Sequence, residues 1–198
     1  MDSNRLRPGR HQLSRDEVRV HQRDRILGAV ETVMSAKGYV DTSVADVLKV
    51  AGVSRQTFYQ LFDSKQDCFL AAYSQRQGGV IAALLDRASS GSPIDRFTTL
   101  LRDYLTVMAA KPGIARLYLV GVYAAGPEAI AKRGEMQRQF VDGVAVIFGA
   151  TSDEDRFACR ALVAAISTLV TSAVVDDDPQ AVLDLHGPLV AVARRLMT

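Results

Sequence analysis

Six times along this chain a serine or aspartate stands just before a run of helically spaced apolar residues: Ser14, Ser43, Ser54, Ser64, Ser92 and Asp178. A side-chain oxygen there accepts from the first unpaired amides of a helix, so each position marks a start. Glu17 and Asp46 stand three residues beyond their serines, placed to reach back as capping boxes. Pro93 and Pro179 follow their caps at the first helical position, where a missing N–H costs nothing. "GATSDEDR" at 149–156 ends one helix and brings acids to the positive end of the next. The stops are equally regular: Gly38, the turn "AGV" centred on Gly52, "KPG" at 111–113 and "AGP" at 125–127. Strand-like alternation is weak. The chain therefore reads as all-α, with about nine helices. A long helix runs from Ser64 to about Ser90, weakened at Gly78-Gly79, and Gly187-Pro188 bends the last one.

With 198 residues, 48% of them hydrophobic, the chain can build a packed core. The net charge of +2 does not itself point to a polyanion, but its distribution leans that way. Residues 1–65 carry 11 Lys and Arg against 8 Asp and Glu, and the rest 13 against 14. The basic excess is N-terminal. Cys68 and Cys159 form no ligand or redox spacing and read as free thiols in a reducing compartment. The most apolar stretch, "ALVAAISTLVTSAVV" at 161–175, is short for a membrane span and reads as a buried helix. With no secretory leader visible, a cytoplasmic location is expected. The histidines are scattered, so no metal site is expected, and no catalytic constellation or phosphate loop marks an enzyme.

Residues 43–62 are two short helices around a glycine turn, the plan of a helix-turn-helix whose second helix enters the major groove. Val47, Leu48, Val53, Phe58 and Phe62 suit the inner side, against a first helix whose apolar stripe is Ile26, Leu27, Val30, Val33 and Met34. Arg55, Gln56, Thr57, Tyr59 and Gln60 are then left outside. Arginine pairs with a guanine edge and glutamine with an adenine edge, so Arg55 and Gln56 are the candidate base readers. Thr57, Tyr59 and Lys65 suit phosphate oxygens, which position without reading sequence. Upstream, Arg5, Arg7, Arg10 and Arg15 make a basic arm that could follow phosphates or enter the minor groove.

The segment "TSVADVLKVAGVSRQTFYQLFDSKQDCFLAAY" resembles the DNA-binding signature of the TetR family of bacterial transcriptional regulators. The resemblance is carried by Gly38, Ser43, Val47, Ala51, Gly52, Val53, Ser54, Thr57, Phe58, Tyr59, Phe62, Ser64 and Lys65, within Arg25 to Tyr73. It implies an all-helical homodimer: a flexible basic arm over 1–13, a three-helix DNA-binding domain over 14–64, and an effector-binding and dimerisation domain over 65–198. Ser43, Ser54, Arg55, Gln56, Thr57, Tyr59, Gln60 and Lys65 are the expected DNA contacts. Two positions depart from the pattern. Leu61 stands where many members have His, and Ala45 where a polar side chain often meets DNA, which shifts base readout towards Arg55 and Gln56.

Beyond residue 75 the resemblance extends only to the helix count. The small-residue helix over about 153–175 and the last helix over about 179–197 are the expected dimer interface, each covered by its copy in a two-fold bundle. Phe97, Tyr104, Met108, Tyr118, Tyr123, Met136 and Phe140 are candidate pocket residues. No charge cluster singles out a ligand, so the expected effector is small and apolar or aromatic. The leading expectation is a ligand-released repressor, and the alternative is an effector-independent DNA-binding regulator.

Overall fold

A computed structural model describes residues 14–197, which form ten α-helices and one 3₁₀ turn with no strand among the described residues. They are α1 (Arg15–Lys37), α2 (Val44–Ala51), α3 (Arg55–Tyr59), α4 (Lys65–Arg87), α5 (Pro93–Ala110) and α6 (Pro112–Leu119). After the 3₁₀ turn Gly121–Ala125 follow α7 (Pro127–Phe148), α8 (Asp153–Val175), α9 (Pro179–Asp184) and α10 (His186–Leu196). All six capping positions hold helix starts. Ser54 Oγ, for example, accepts from Thr57 N at 3.0 Å, and Asp178 Oδ1 from Ala181 N at 2.9 Å. The boxes at Ser14/Glu17 and Ser43/Asp46 are both closed.

Three boundaries differ from expectation. α4 runs unbroken through Gly78-Gly79 and stops at Arg87, where Arg96 Nε donates to the Ala88 carbonyl at 2.8 Å. The expected last helix is two, α9 and α10, broken at Leu185 rather than at Gly187-Pro188. Proline has no N–H and its ring crowds the carbonyl four residues back, so Pro188 interrupts the rod at Asp184, one turn upstream of itself. Counted as one bent rod, the pair restores the expected nine helices. Gly38 has φ +83° but ψ 165°, so it closes α1 with positive φ outside the left-handed helical region.

The interior forms two apolar cores joined along α4. The first gathers Ile26, Val30 and Met34 of α1, Val47 of α2, Phe58 of α3, Phe62, and Phe69 and Tyr73 of α4. Leu117 and Tyr118 of α6 and Val122 close it from below, so α1–α3 do not fold over a core of their own. The second lies among the far end of α4 (Leu84), α5 (Phe97, Leu101), α7, α8 (Leu162, Ile166), α9 and α10. Ile81 packs on both, so one rigid helix belongs to both cores.

α8 corrects one expectation. It is long and apolar enough by composition to cross a membrane, yet only one side is buried, by Cys159, Leu162, Val163, Ile166, Val170, Ala173 and Val174. Phe157 (61% exposed), Ala161, Ala164, Leu169 and Val175 lie on uncovered surface.

Candidate nucleic-acid interface and effector cavity

α2 and α3 are set against α1 by one guanidinium and one glycine. Arg25 Nη2 donates to the Ala51 carbonyl, and to that of Gly52 at 3.2 Å. Gly52 sits in the left-handed region at φ +62°, ψ 38°, and a Cβ there would lie 2.7 Å from Arg25 Nη2. The turn therefore needs glycine twice, for conformation and for space. Beyond it, Ser54 caps α3 and Phe58 anchors it at 1% exposure, with Phe62 5.7 Å away ring to ring and Arg23 over the Phe62 face. Burying such a phenylalanine contributes roughly 1.5–3 kcal/mol, enough to hold a five-residue helix too short to persist alone.

Phe58 fixes which side faces out. Arg55, Gln56, Tyr59 and Gln60 are exposed, Tyr59 by 49%, and Arg55 makes no ion pair among the described residues. Ser43, Ser54 and Thr57 are already engaged. Ser43 Oγ donates to Asp46 Oδ2 at 2.7 Å, and the hydroxyls of Ser54 and Thr57 are 2.9 Å apart. The Ser43 hydroxyl and amide, with Lys37 at 2.9 Å, hold the Asp46 carboxyl well below the usual carboxylate range. Leu61 is half-buried on the first core, so the position lacking a polar donor is used for packing. Arg15 opens α1 in an exposed position, whereas Arg5, Arg7 and Arg10 lie outside the described residues.

Lys65 is already engaged within the chain. Its ammonium donates to the carbonyls of Tyr39 and Thr42, both at 2.8 Å, and lies 4.4 Å from the centre of the Tyr39 ring. Val40 O, at 3.5 Å, is a third and weaker acceptor. These are backbone acceptors of the α1–α2 loop, so Lys65 is a clamp on that loop before it is a phosphate donor.

Below the helix-turn-helix, Glu31 of α1 is 8% exposed and meets two residues of the larger part of the chain. Arg76 of α4 pairs with it in a fork, Nε donating to Oε1 at 2.7 Å and Nη2 to Oε2, and the Tyr118 hydroxyl of α6 donates to Oε1 at 2.8 Å. Burial raises the Glu31 carboxyl, but the bonds from Arg76 and Tyr118 outweigh it and hold the group below its ordinary range. Burial, with the Glu31 charge beside it, pushes the Tyr118 phenol up. The signal for this cluster was in the sequence, since Glu31 is an acid on the stripe of Leu27 and Met34.

Of the expected pocket residues, Tyr104, Met136 and Phe140 come together around an 80 Å³ cavity between α4, α5, α7 and α8. Met108 and Tyr118 line a neighbouring cavity of 310 Å³. Gln77 and Val80 of α4 line both. Phe97 is instead wholly buried in the second core, 5.4 Å from the Phe148 ring, and Tyr123 is 52% exposed with Arg133 over its face. Tyr73 joins the smaller cavity unforeseen, and burial pushes the phenols of Tyr73 and Tyr104 up to about 12. A third cavity, of 620 Å³, is a groove between α1, α4 and α5 containing the Glu31–Arg76 pair and the Arg87–Asp103 pair at 2.9 Å.

Residues 26–72 match the family model of the bacterial regulatory proteins of the tetR family. Over those residues, about a quarter of the chain, the protein is similar to the tetR family. The chain also shares its fold, over most of both lengths, with solved regulators of low sequence identity. FadR of Bacillus subtilis, crystallised in complex with stearoyl-CoA, is 17% identical with a TM-score of 0.76, covering 85% of this chain and 96% of that one. FadR of Bacillus halodurans, a fatty acid degradation regulator, is 19% identical with a TM-score of 0.77, covering 89% and 94%. A TetR-family regulator of Streptomyces coelicolor is 20% identical with a TM-score of 0.68, covering 89% and 98%. No curated protein sequence matches the chain.

Proposed function

We propose that this protein is a homodimeric repressor of the TetR family that holds a near-palindromic operator and is released by a small effector in the α4–α8 cavity region. The observation that carries the reading is the exposed polar face of α3, with Arg55, Gln56, Tyr59 and Gln60 set over buried Phe58 and Phe62. Arg55 and Gln56 read base edges. Tyr59 meets phosphate, and Ser43, Ser54 and Thr57 keep the helix starts in register for it. A chain read this way works in the bacterial cytoplasm, where its operator is.

What supports the dimer is the uncovered apolar surface of α8, continued by Leu183, Val192 and Leu196 of α9 and α10. A second copy would cover it as a four-helix bundle and set two α3 helices about 34–36 Å apart, one turn of duplex. What supports effector control is the route from cavity to α1. α4 lines both cavities, and its Arg76 holds Glu31. A ligand that prefers one placement of α4 thereby biases the spacing of the reading heads. The acyl-CoA held by the Bacillus subtilis neighbour supports a ligand with an apolar body. An effector-independent regulator would have no use for these cavities.

Selecting and sequencing DNA fragments retained by the protein tests the reading. A recurrent near-palindrome is expected, bound with strong salt dependence. Arg55→Ala should relax preference at one position per half-site by about 1–3 kcal/mol. Salt-insensitive retention with no common motif would sink it.

A further inference from the structure

Arg133, near the start of α7, is a cation without a counter-ion in a cavity otherwise lined by neutral residues. Its Nη2 donates to Ser167 Oγ at 3.1 Å, its Nη1 to Gln137 Oε1 at 3.5 Å, and its face lies 5.3 Å from the centre of the Tyr123 ring. None of these partners is charged. Among the described residues no carboxylate is within ion-pairing distance of it, and Nε is shut off from solvent without a hydrogen-bond partner. The nearest acid on α7, Glu135, pairs with Lys132 at 2.8 Å. The cavity it enters contains no Asp or Glu; its polar lining is Tyr73, Gln77, Tyr104, Gln137 and Ser167.

Arg133 is half-buried, so its guanidinium is only partly hydrated, and an anion that pairs with it replaces the hydration it has lost. One cation among neutral hydrogen-bonding groups balances one negative charge. A phosphate monoester carries about −1.5 to −2 and would leave charge uncompensated there. A carboxylate matches in charge and also in shape, since its two oxygens take a guanidinium fork. At 80 Å³ the space holds about two or three waters, or one carboxylate head. Gln77 and Val80 also line the neighbouring 310 Å³ cavity, walled by Val107, Met108 and Ile114, which has room for a hydrocarbon or aromatic body.

We propose that this cavity binds an organic monocarboxylate, its head on Arg133 and its apolar body along Val80 towards Met108. The proposal rests on the effector reading above and changes its ligand from a neutral apolar compound to an organic acid.

Calorimetric titration of the full-length protein with octanoate and 3-phenylpropionate, beside the matched primary alcohols and amides, tests it. The acids should bind about 10–100-fold more tightly than their neutral counterparts. Arg133→Gln should bring the acids down to the alcohols' level and leave alcohol binding unchanged, and Arg133→Lys should keep a preference for acids. Equal binding of acid and alcohol to the wild type, no saturable binding of either acid, or an acid affinity unaffected in Arg133→Gln would overturn it. Operator binding measured alongside separates the two readings. Acids that bind through Arg133 without loosening DNA leave this site standing and remove its effector role. Release by a neutral compound, indifferent to Arg133→Gln, keeps effector control and removes the carboxylate site.

Discussion

Replacing Lys65 with Met distinguishes a loop clamp from a phosphate contact. Methionine keeps the apolar stem beside Tyr39 and removes only the ammonium. Two short charge-assisted bonds disappear, to the carbonyls of Tyr39 and Thr42 at 2.8 Å. Bonds of this type contribute about 1.5–3 kcal/mol each. Lys65 and Tyr39 are half-buried, so water can reach part of the site and the lower end applies. The contact over the Tyr39 ring adds about 0.5–1 kcal/mol. The loss is then about 3.5–4 kcal/mol, which for a chain of this size lowers Tm by about 7–16 °C. The assay is thermal unfolding at fixed protein concentration, because association makes Tm concentration-dependent. Operator titrations over a range of salt accompany it. If Lys65 were chiefly a phosphate donor, Tm would stay put while the salt slope fell by about 0.9. That pair of results would refute the clamp.

Gly52→Ala should destabilise by about 1–3 kcal/mol and weaken DNA binding, because it strains the backbone at φ +62° and pushes Arg25 off the Ala51 and Gly52 carbonyls; denaturant unfolding reads the first effect. Glu31 has a lowered folded-state value, so its contribution is complete above its unfolded value near 4.3 and is lost as pH falls through the folded one. Glu31→Gln should therefore reduce stability at neutral pH and flatten the acid limb of a stability-versus-pH curve; an acid limb identical to wild type would count against the Arg76–Tyr118 account. Leu169→Glu on the outer face of α8 should shift the mass measured by light scattering from two chains to one without unfolding the monomer.

Much of this was legible because the information is local. A serine three residues before an acid, or a proline after an aspartate, acts within one helical turn, so the helix starts could be read from the chain. The inward direction of Phe58 and Phe62 and the outward direction of Arg55 and Tyr59 follow from spacing alone. The break at Leu185 was nearly legible too, missed by one turn because proline acts on the carbonyl four residues behind it. Arg133 also left a trace, since positions 129, 130, 136 and 137 offer it no acid.

What the sequence by itself determined was the all-helical class, the helix-turn-helix and the side of α3 that faces away from the core, all set by neighbours three or four residues apart. Tertiary structure alone decided where groups distant in sequence meet. It placed Lys65 on the carbonyls of Tyr39 and Thr42, and Glu31 on Arg76 and Tyr118. It buried Phe97, left Tyr123 in solvent, and put Arg133 into a cavity without a counter-ion. Helical periodicity says which face of a helix is covered, but the partner covering it is chosen by how the rods pack.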